Sequence, residues 1–138
     1  MNHYGWQELE LGLKHEFKAK ITEEMMQYFL AVTGDSNPLH LDSTYAEKRG
    51  FPNKVVYGLL TASFYSTLVG VHLPGQNSLL HGIDIAFMKP VFVGDELTIV
   101  GEVTYLNEAY KQAHMSAHIT SQQGQVVSKA RIKVGVLE

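Results

Sequence analysis

Val55-Val56-Tyr57-Gly58-Leu59-Leu60-Thr61-Ala62-Ser63-Phe64-Tyr65-Ser66-Thr67-Leu68-Val69-Gly70-Val71-His72-Leu73 is the longest apolar tract of this chain. Tyr57, Thr61, Ser63, Tyr65, Ser66, Thr67 and His72 interrupt it. It therefore falls short of the roughly 20 predominantly apolar residues that a membrane span needs. Its apolar side chains occupy most sides of a helix, which marks a helix enclosed by protein rather than one lying on a surface. A helix from Tyr57 to Val71 covers roughly 22 Å at 1.5 Å per residue. Leu59, Ser63, Ser66 and Gly70 fall at i, i+4, i+7 and i+11 on it, a narrow, mostly small stripe that lets a backbone or a ligand approach closely. Pro74-Gly75 breaks the chain after it.

Four strand-like stretches follow. Gly82 to Lys89 is the first, and Glu96 to Leu106 alternates Leu97, Ile99, Gly101, Val103 and Tyr105 on one face. Ala109 to Ser121 and Gln125 to Leu137 complete the set, joined through the turn Gln122-Gln123-Gly124. Strands joined by short turns predict an antiparallel sheet. A long buried helix and a meander able to wrap it make an α+β plan, with the second sheet face either solvated or buried in a dimer.

Upstream of the tract the reading is helical with loops. Thr22 is a plausible N-cap, with Glu23 and Glu24 in the first turn where carboxylates favour the positive helix end. Met25, Met26, Phe29, Leu30 and Thr33 give an amphipathic face whose methionines are core filler, and Gly34 stops the helix. A short helix from Ser43 to Arg49 is capped by Asp42 and stopped by Gly50. Between them lies Gly34-Asp35-Ser36-Asn37-Pro38-Leu39-His40. Pro38 lacks an N–H and pushes Asn37 out of the helical region, so the chain bends between a carboxylate and an imidazole. The bend can turn Asp35 and His40 toward one pocket as an acid/base pair. Taken alone, Asp35 also fits an Asx turn, and Asn37-Pro38 an ordinary turn.

The 138 residues fit one domain spanning the whole chain, 1–138, and 45% hydrophobic residues are enough for a core. A net charge of −3 with 18% charged residues, and no cluster of Lys or Arg, gives no sign of a nucleic-acid or membrane partner. There is no cysteine, which excludes disulfides, thiolate catalysis and Cys-ligated metal sites. Met1-Asn2-His3-Tyr4-Gly5-Trp6 has neither a basic nor an apolar signal region, and a cytoplasmic protein is expected. His114 and His118 share a face of one strand but lack the tight spacing and third ligand of a zinc motif, so no metal is expected there.

Three motifs then carry a resemblance. Gly34-Asp35-Ser36-Asn37-Pro38-Leu39-His40-Leu41-Asp42, Val56-Tyr57-Gly58-Leu59-Leu60-Thr61-Ala62-Ser63 and Lys89-Pro90-Val91-Phe92-Val93-Gly94-Asp95, in that order, resemble the MaoC-like dehydratases. Within that family the chain is most similar to the single-domain (R)-specific enoyl-CoA hydratases. The resemblance implies the hot-dog fold, an antiparallel sheet wrapped around a long central helix, and pairing as a homodimer. It implies reversible syn addition of water to a trans-2-enoyl thioester of CoA or acyl carrier protein, with no metal or other cofactor. Asp35 and His40 match the catalytic pair, Asn37 the residue that orients them, Gly58 the N–H that holds the thioester oxygen, and Ser66 a helix hydroxyl near the pair. Tyr57, Leu59 and Ser63 are assigned to substrate contact. The family usually carries His-Gly where this chain has Tyr57-Gly58, a departure expected to alter the shape and polarity of the pocket mouth. A hot-dog acyl thioesterase and a non-catalytic acyl-thioester binding module are the alternative functions.

Overall fold

The computed structural model describes residues 1–138. Its strands are β1 (Lys14–Lys20), β2 (Ser78–Phe87), β3 (Glu96–Asn107), β4 (Gln112–Thr120) and β5 (Val126–Val136). They form one antiparallel sheet in the order β1-β3-β4-β5-β2. The four strands expected after the central helix are all present. β1 is a fifth, and it precedes the helices. Its exposed Lys14, Glu16, Lys18 and Lys20 alternate with half-buried His15, Phe17 and Ala19, the pattern of an edge strand guarded by lysines.

Alternation along the strands makes one apolar face. Leu97, Ile99 and Val103 of β3 are buried on it, with Met115, Ala117 and Ile119 of β4 and Ala130, Ile132 and Val134 of β5. The opposite face exposes Glu102, Thr104, Ser116, Lys129, Arg131 and Lys133 in the single chain. No metal-ligand arrangement forms there from three or more His, Asp or Glu. His114 instead lies beside Tyr105, with ring centroids 4.9 Å apart, and Nε2 is 3.0 Å from Gln112 Oε1.

Against the apolar face lies one helical run, residues 58–72, made of α4 (Gly58–Ala62), α5 (Phe64–Thr67) and a wider last turn, Leu68–His72. Ser63 joins α4 to α5 with helical dihedrals, φ −61° and ψ −22°. Tyr65 and Leu68 are buried under the sheet, where they join a 25-residue core. Gly101 of β3 makes the close approach possible: a Cβ there would stand 2.6 Å from Leu68 Cδ2 and 2.9 Å from Met115 Cε. The small stripe lies on the helix's outward side. Leu59 is 63% exposed, Ser63 and Ser66 are exposed, and nothing approaches within 4 Å of where a Gly70 Cβ would be. Enclosure of this helix by its own chain is thus one-sided.

Three short helices lead into that run. α1 (Glu23–Thr33) starts at Thr22, whose Oγ1 accepts from the Met25 N–H at 3.2 Å, and ends at Gly34 with φ 69°. α2 (Pro38–Leu41) is a single turn, and α3 (Ser43–Lys48) is capped by Asp42 Oδ1, which accepts from Thr44 N at 2.9 Å and Tyr45 N at 3.2 Å. The loop from Lys89 to Asp95 packs across the sheet end. Asp95 closes it by accepting from Phe92 N at 2.9 Å and Gln122 Nε2 at 3.0 Å, and Gly94 takes φ 96°. No helix of the chain is long and apolar enough to cross a membrane.

Candidate active site

The bend before His40 is built from local hydrogen bonds. Asp35 Oδ1 accepts from Asn37 N at 3.1 Å, which is an Asx turn, and Asn37 Oδ1 accepts from Leu39 N at 3.0 Å as the N-cap of α2. Pro38 occupies the first helical position, where its missing N–H costs nothing. A regular helix does not run from Asp35 to His40, as the proline requires, yet the last three of those residues do form a helical turn. Asn37 therefore caps the helical turn that carries His40.

His40 is fixed by a second tether. Its Nδ1–H donates to the Val55 carbonyl at 2.7 Å, and Val55 N donates to the Leu39 carbonyl at 3.0 Å. A carbonyl only accepts, so the ring proton sits on Nδ1 and the neutral imidazole offers Nε2 as its acceptor. The ring lines a cavity of about 350 Å³. Gly58 and Thr61 of α4 line it too, with Phe51, Val55 and Val56 from the connecting loop and Phe87, Met88, Pro90 and Val127 opposite. The N–H groups of Gly58 and Leu59 find no acceptor in the chain, as expected where a helix opens, and both carry the positive end of the helix dipole. Absence of a side chain at Gly58 keeps this end open: a Cβ would lie 3.2 Å from Phe87 Cε1.

Tyr57 departs from its expected place at the mouth. It is 1% exposed and does not line the cavity. Its ring packs on His40, centroids 4.3 Å apart, and on Phe29 at 4.6 Å, while its hydroxyl donates to the Asp35 carbonyl at 2.8 Å. Burial, and secondly the nearby Asp35 carboxylate, push its phenol pKa up, so it remains a donor. Tyr57 is thus a strut that ties the Asp35 turn to the back of His40.

The other expected site residues are spread more widely. Asp35 is exposed, does not line the cavity, and makes neither hydrogen bond nor ion pair with His40. The expected convergence of the pair on one pocket is therefore seen for His40 alone. Ser63 is exposed, and its Oγ donates to the Leu60 carbonyl at 2.6 Å, back-bonding within its own helix. Leu59 and Ser66 face outward with Ser63 and do not line the cavity. Of the 12 lining residues only His40 and Gly58 were among the expected ones; Thr61 and Phe87 were not. Thr61 was legible at three residues past Gly58 on the same helix face; Phe87 required knowing which strand end comes to rest over the helix.

Known proteins are similar to this chain in sequence and in fold. A family model described as MaoC like domain matches residues 7–125. The (R)-specific enoyl-CoA hydratase of Aeromonas caviae is 40% identical over 118 residues, covering 86% of this chain and 88% of that protein. A 3-hydroxybutyryl-CoA dehydratase of Methylorubrum extorquens is 31% identical over 111 residues, covering 80% of this chain and 71% of the relative. Among solved structures, an R-hydratase from Pseudomonas aeruginosa in the unliganded form superposes with a TM-score of 0.91 at 31% identity, covering 97% of this chain and 86% of that one. A sheet curled about one helix, a cavity at the helix opening and the extent of this likeness agree: the chain belongs to the MaoC-like domain family.

Proposed function

We propose that the protein is an (R)-specific hydratase of trans-2-enoyl thioesters, able to run in reverse as a dehydratase of (R)-3-hydroxyacyl thioesters. The observation that carries this reading is the cavity shared by His40, with a free Nε2, and the unpaired N–H of Gly58. The 40% identity to an (R)-specific enoyl-CoA hydratase supports it.

The chemistry has three requirements. Water loses a proton as its oxygen bonds to C3, the C2=C3 electrons move onto the thioester oxygen, and C2 then gains a proton as the carbonyl reforms. The Gly58 N–H holds the oxygen while it carries enolate charge, a preorganised donor at the positive end of a helix. In the tautomer fixed by Val55, His40 Nε2 takes the proton from water. His40, now an imidazolium, returns that proton to C2 from the same face, which makes the addition syn and regenerates the ring. Asp35 completes the acid/base pair as the carboxylate that accepts a hydrogen bond from the attacking water once substrate is bound. The thioester already activates its alkene, so this reading calls for no metal and no cofactor. The acyl group arrives on CoA or on an acyl carrier protein, and a cytoplasmic setting belongs to the same reading.

A homodimer is part of it as well. β2 is a sheet edge whose outer backbone groups have no partner strand, and it exposes Leu79 at 52%, Leu80 at 45%, Ile83 at 36% and Phe87 at 52%, followed by Met88 at 53%. A second copy covering these side chains would also wall the cavity beside Phe87 and Met88. Sedimentation is expected to give a dimer that Ile83→Lys splits; an active wild-type monomer would contradict it. The function itself is tested with crotonyl-CoA and longer enoyl-CoAs, by following loss of the conjugated absorbance. Turnover without release of free thiol is expected. No turnover of any enoyl thioester, or thiol release in its place, would overturn the proposal.

A further inference from the structure

Thr61 carries a hydroxyl that the fold leaves without a partner. The residue is 3% exposed, its Oγ1 is buried, and no donor or acceptor in the chain reaches it. A buried hydroxyl normally finds a bond. Ser121 Oγ, at a strand end, is the other without one, but the Thr61 hydroxyl is the one beside a cavity and calls for an explanation. The local partner available to a helical threonine is the carbonyl four residues back. Here that is Tyr57, whose carbonyl already accepts from Leu60 N at 3.1 Å and Thr61 N at 3.2 Å, and Thr61 Oγ1 does not turn to it. Instead Thr61 lines the cavity with His40 and Gly58.

Position on the helix gives the hydroxyl its use. Thr61 lies three residues after Gly58 on the same face, and every Cβ of a helix tilts toward the N-terminal end. Its side chain therefore leans over the opening turn, where the Gly58 N–H is free. We propose that Thr61 Oγ–H is a second donor to the thioester oxygen, beside the Gly58 N–H, so that bound substrate satisfies the orphan hydroxyl. This rests on the thioester reading above and adds a contact that the backbone alone does not make. A hydroxyl donor tightens its bond as charge builds on the oxygen, so its effect is greatest in the transition state.

The test compares Thr61→Val, which keeps shape and loses the hydroxyl, with Thr61→Ser, which keeps the hydroxyl. Wild type and both variants are assayed on crotonyl-CoA, and binding of the saturated butyryl-CoA is measured by calorimetry. Thr61→Val is expected to lose about 10²-fold in kcat, with a much smaller but measurable rise in KM and weakening of butyryl-CoA binding. Its Tm should be equal to or above that of wild type, because an unpartnered buried hydroxyl is removed. Thr61→Ser should recover most of the rate. A Thr61→Val enzyme with wild-type kcat, or one whose loss is matched by a falling Tm and not restored by serine, overturns the inference and leaves the hydratase reading standing. Should wild type bind butyryl-CoA without turning over crotonyl-CoA, the hydratase reading fails. Weaker binding by Thr61→Val then still supports the contact, and equal binding overturns it. A wild-type protein that binds no thioester overturns both.

Discussion

Tyr57 supports the candidate site from outside the cavity. Its hydroxyl holds the Asp35 carbonyl and its ring backs His40, so the two groups proposed as the acid/base pair are coupled through a residue that does not line the cavity. Tyr57→Phe keeps the ring and loses the bond, and is expected to cost about 0.5–1.5 kcal/mol of stability in denaturant titration. The freed Asp35 turn should also lower kcat several-fold while leaving KM close to wild type. A variant with an unchanged rate would make the strut structural only. Asp35 and Asn37 were legible as chemistry-bearing positions because a proline between a carboxylate and an imidazole leaves few conformations. Their actual bonds, an Asx turn and an N-cap, are local and follow from residue type alone. What Tyr57 does was not legible. Its partners lie 22 and 17 residues away in sequence, at Asp35 and His40, and only the packed loop brings them to it.

Among the elements, the central helix and β3, β4 and β5 could be read from periodicity, because each buries a face over many residues. β2, by contrast, shows its apolar residues without burying any of them fully in the single chain. Caps at Thr22 and Asp42 and the stop at Gly34 were equally readable, since side-chain and backbone chemistry at a helix end is local. β1 escaped notice because Phe17 is its single large apolar residue and lysines fill its outer positions. The small stripe faces outward from the single chain, because sequence spacing places residues on one helix face and says nothing of which neighbour that face meets. Gly101 is where backbone and helix come close, opposite Leu68. Gly101→Ala should therefore force Leu68 and Met115 apart and destabilise the protein by about 1–3 kcal/mol, read as a lower denaturation midpoint. Full stability in this variant would mean that the helix and sheet are less tightly seated than the contact implies.

For the molecule as a whole, pH acts through the group that closes the core beside β1. His72 stacks on Phe17 with centroids 4.5 Å apart and planes 7° from parallel, and burial, then His15, then the N-terminal amine lower its pKa below the ordinary 6.5. A base whose pKa is lower folded than unfolded contributes stability above the unfolded value and loses it as pH falls, because the unfolded chain takes the proton first. Melting temperature should thus drop as pH is lowered below 6.5, and His72→Phe should flatten part of that slope; an unaltered slope would place the acid sensitivity elsewhere. The central claim is that His40 and Asp35 add water on one face of an enoyl thioester held by the opening of the central helix. Its most direct test is the stereochemistry of crotonyl-CoA hydration by wild type, Asp35→Asn and His40→Ala, read by chiral analysis of the 3-hydroxybutyryl product. Wild type should give the (R) product, and each variant, still folded, should be slower by about 10²–10⁴-fold. An (S) or racemic product, or folded variants that keep the wild-type rate, would contradict it.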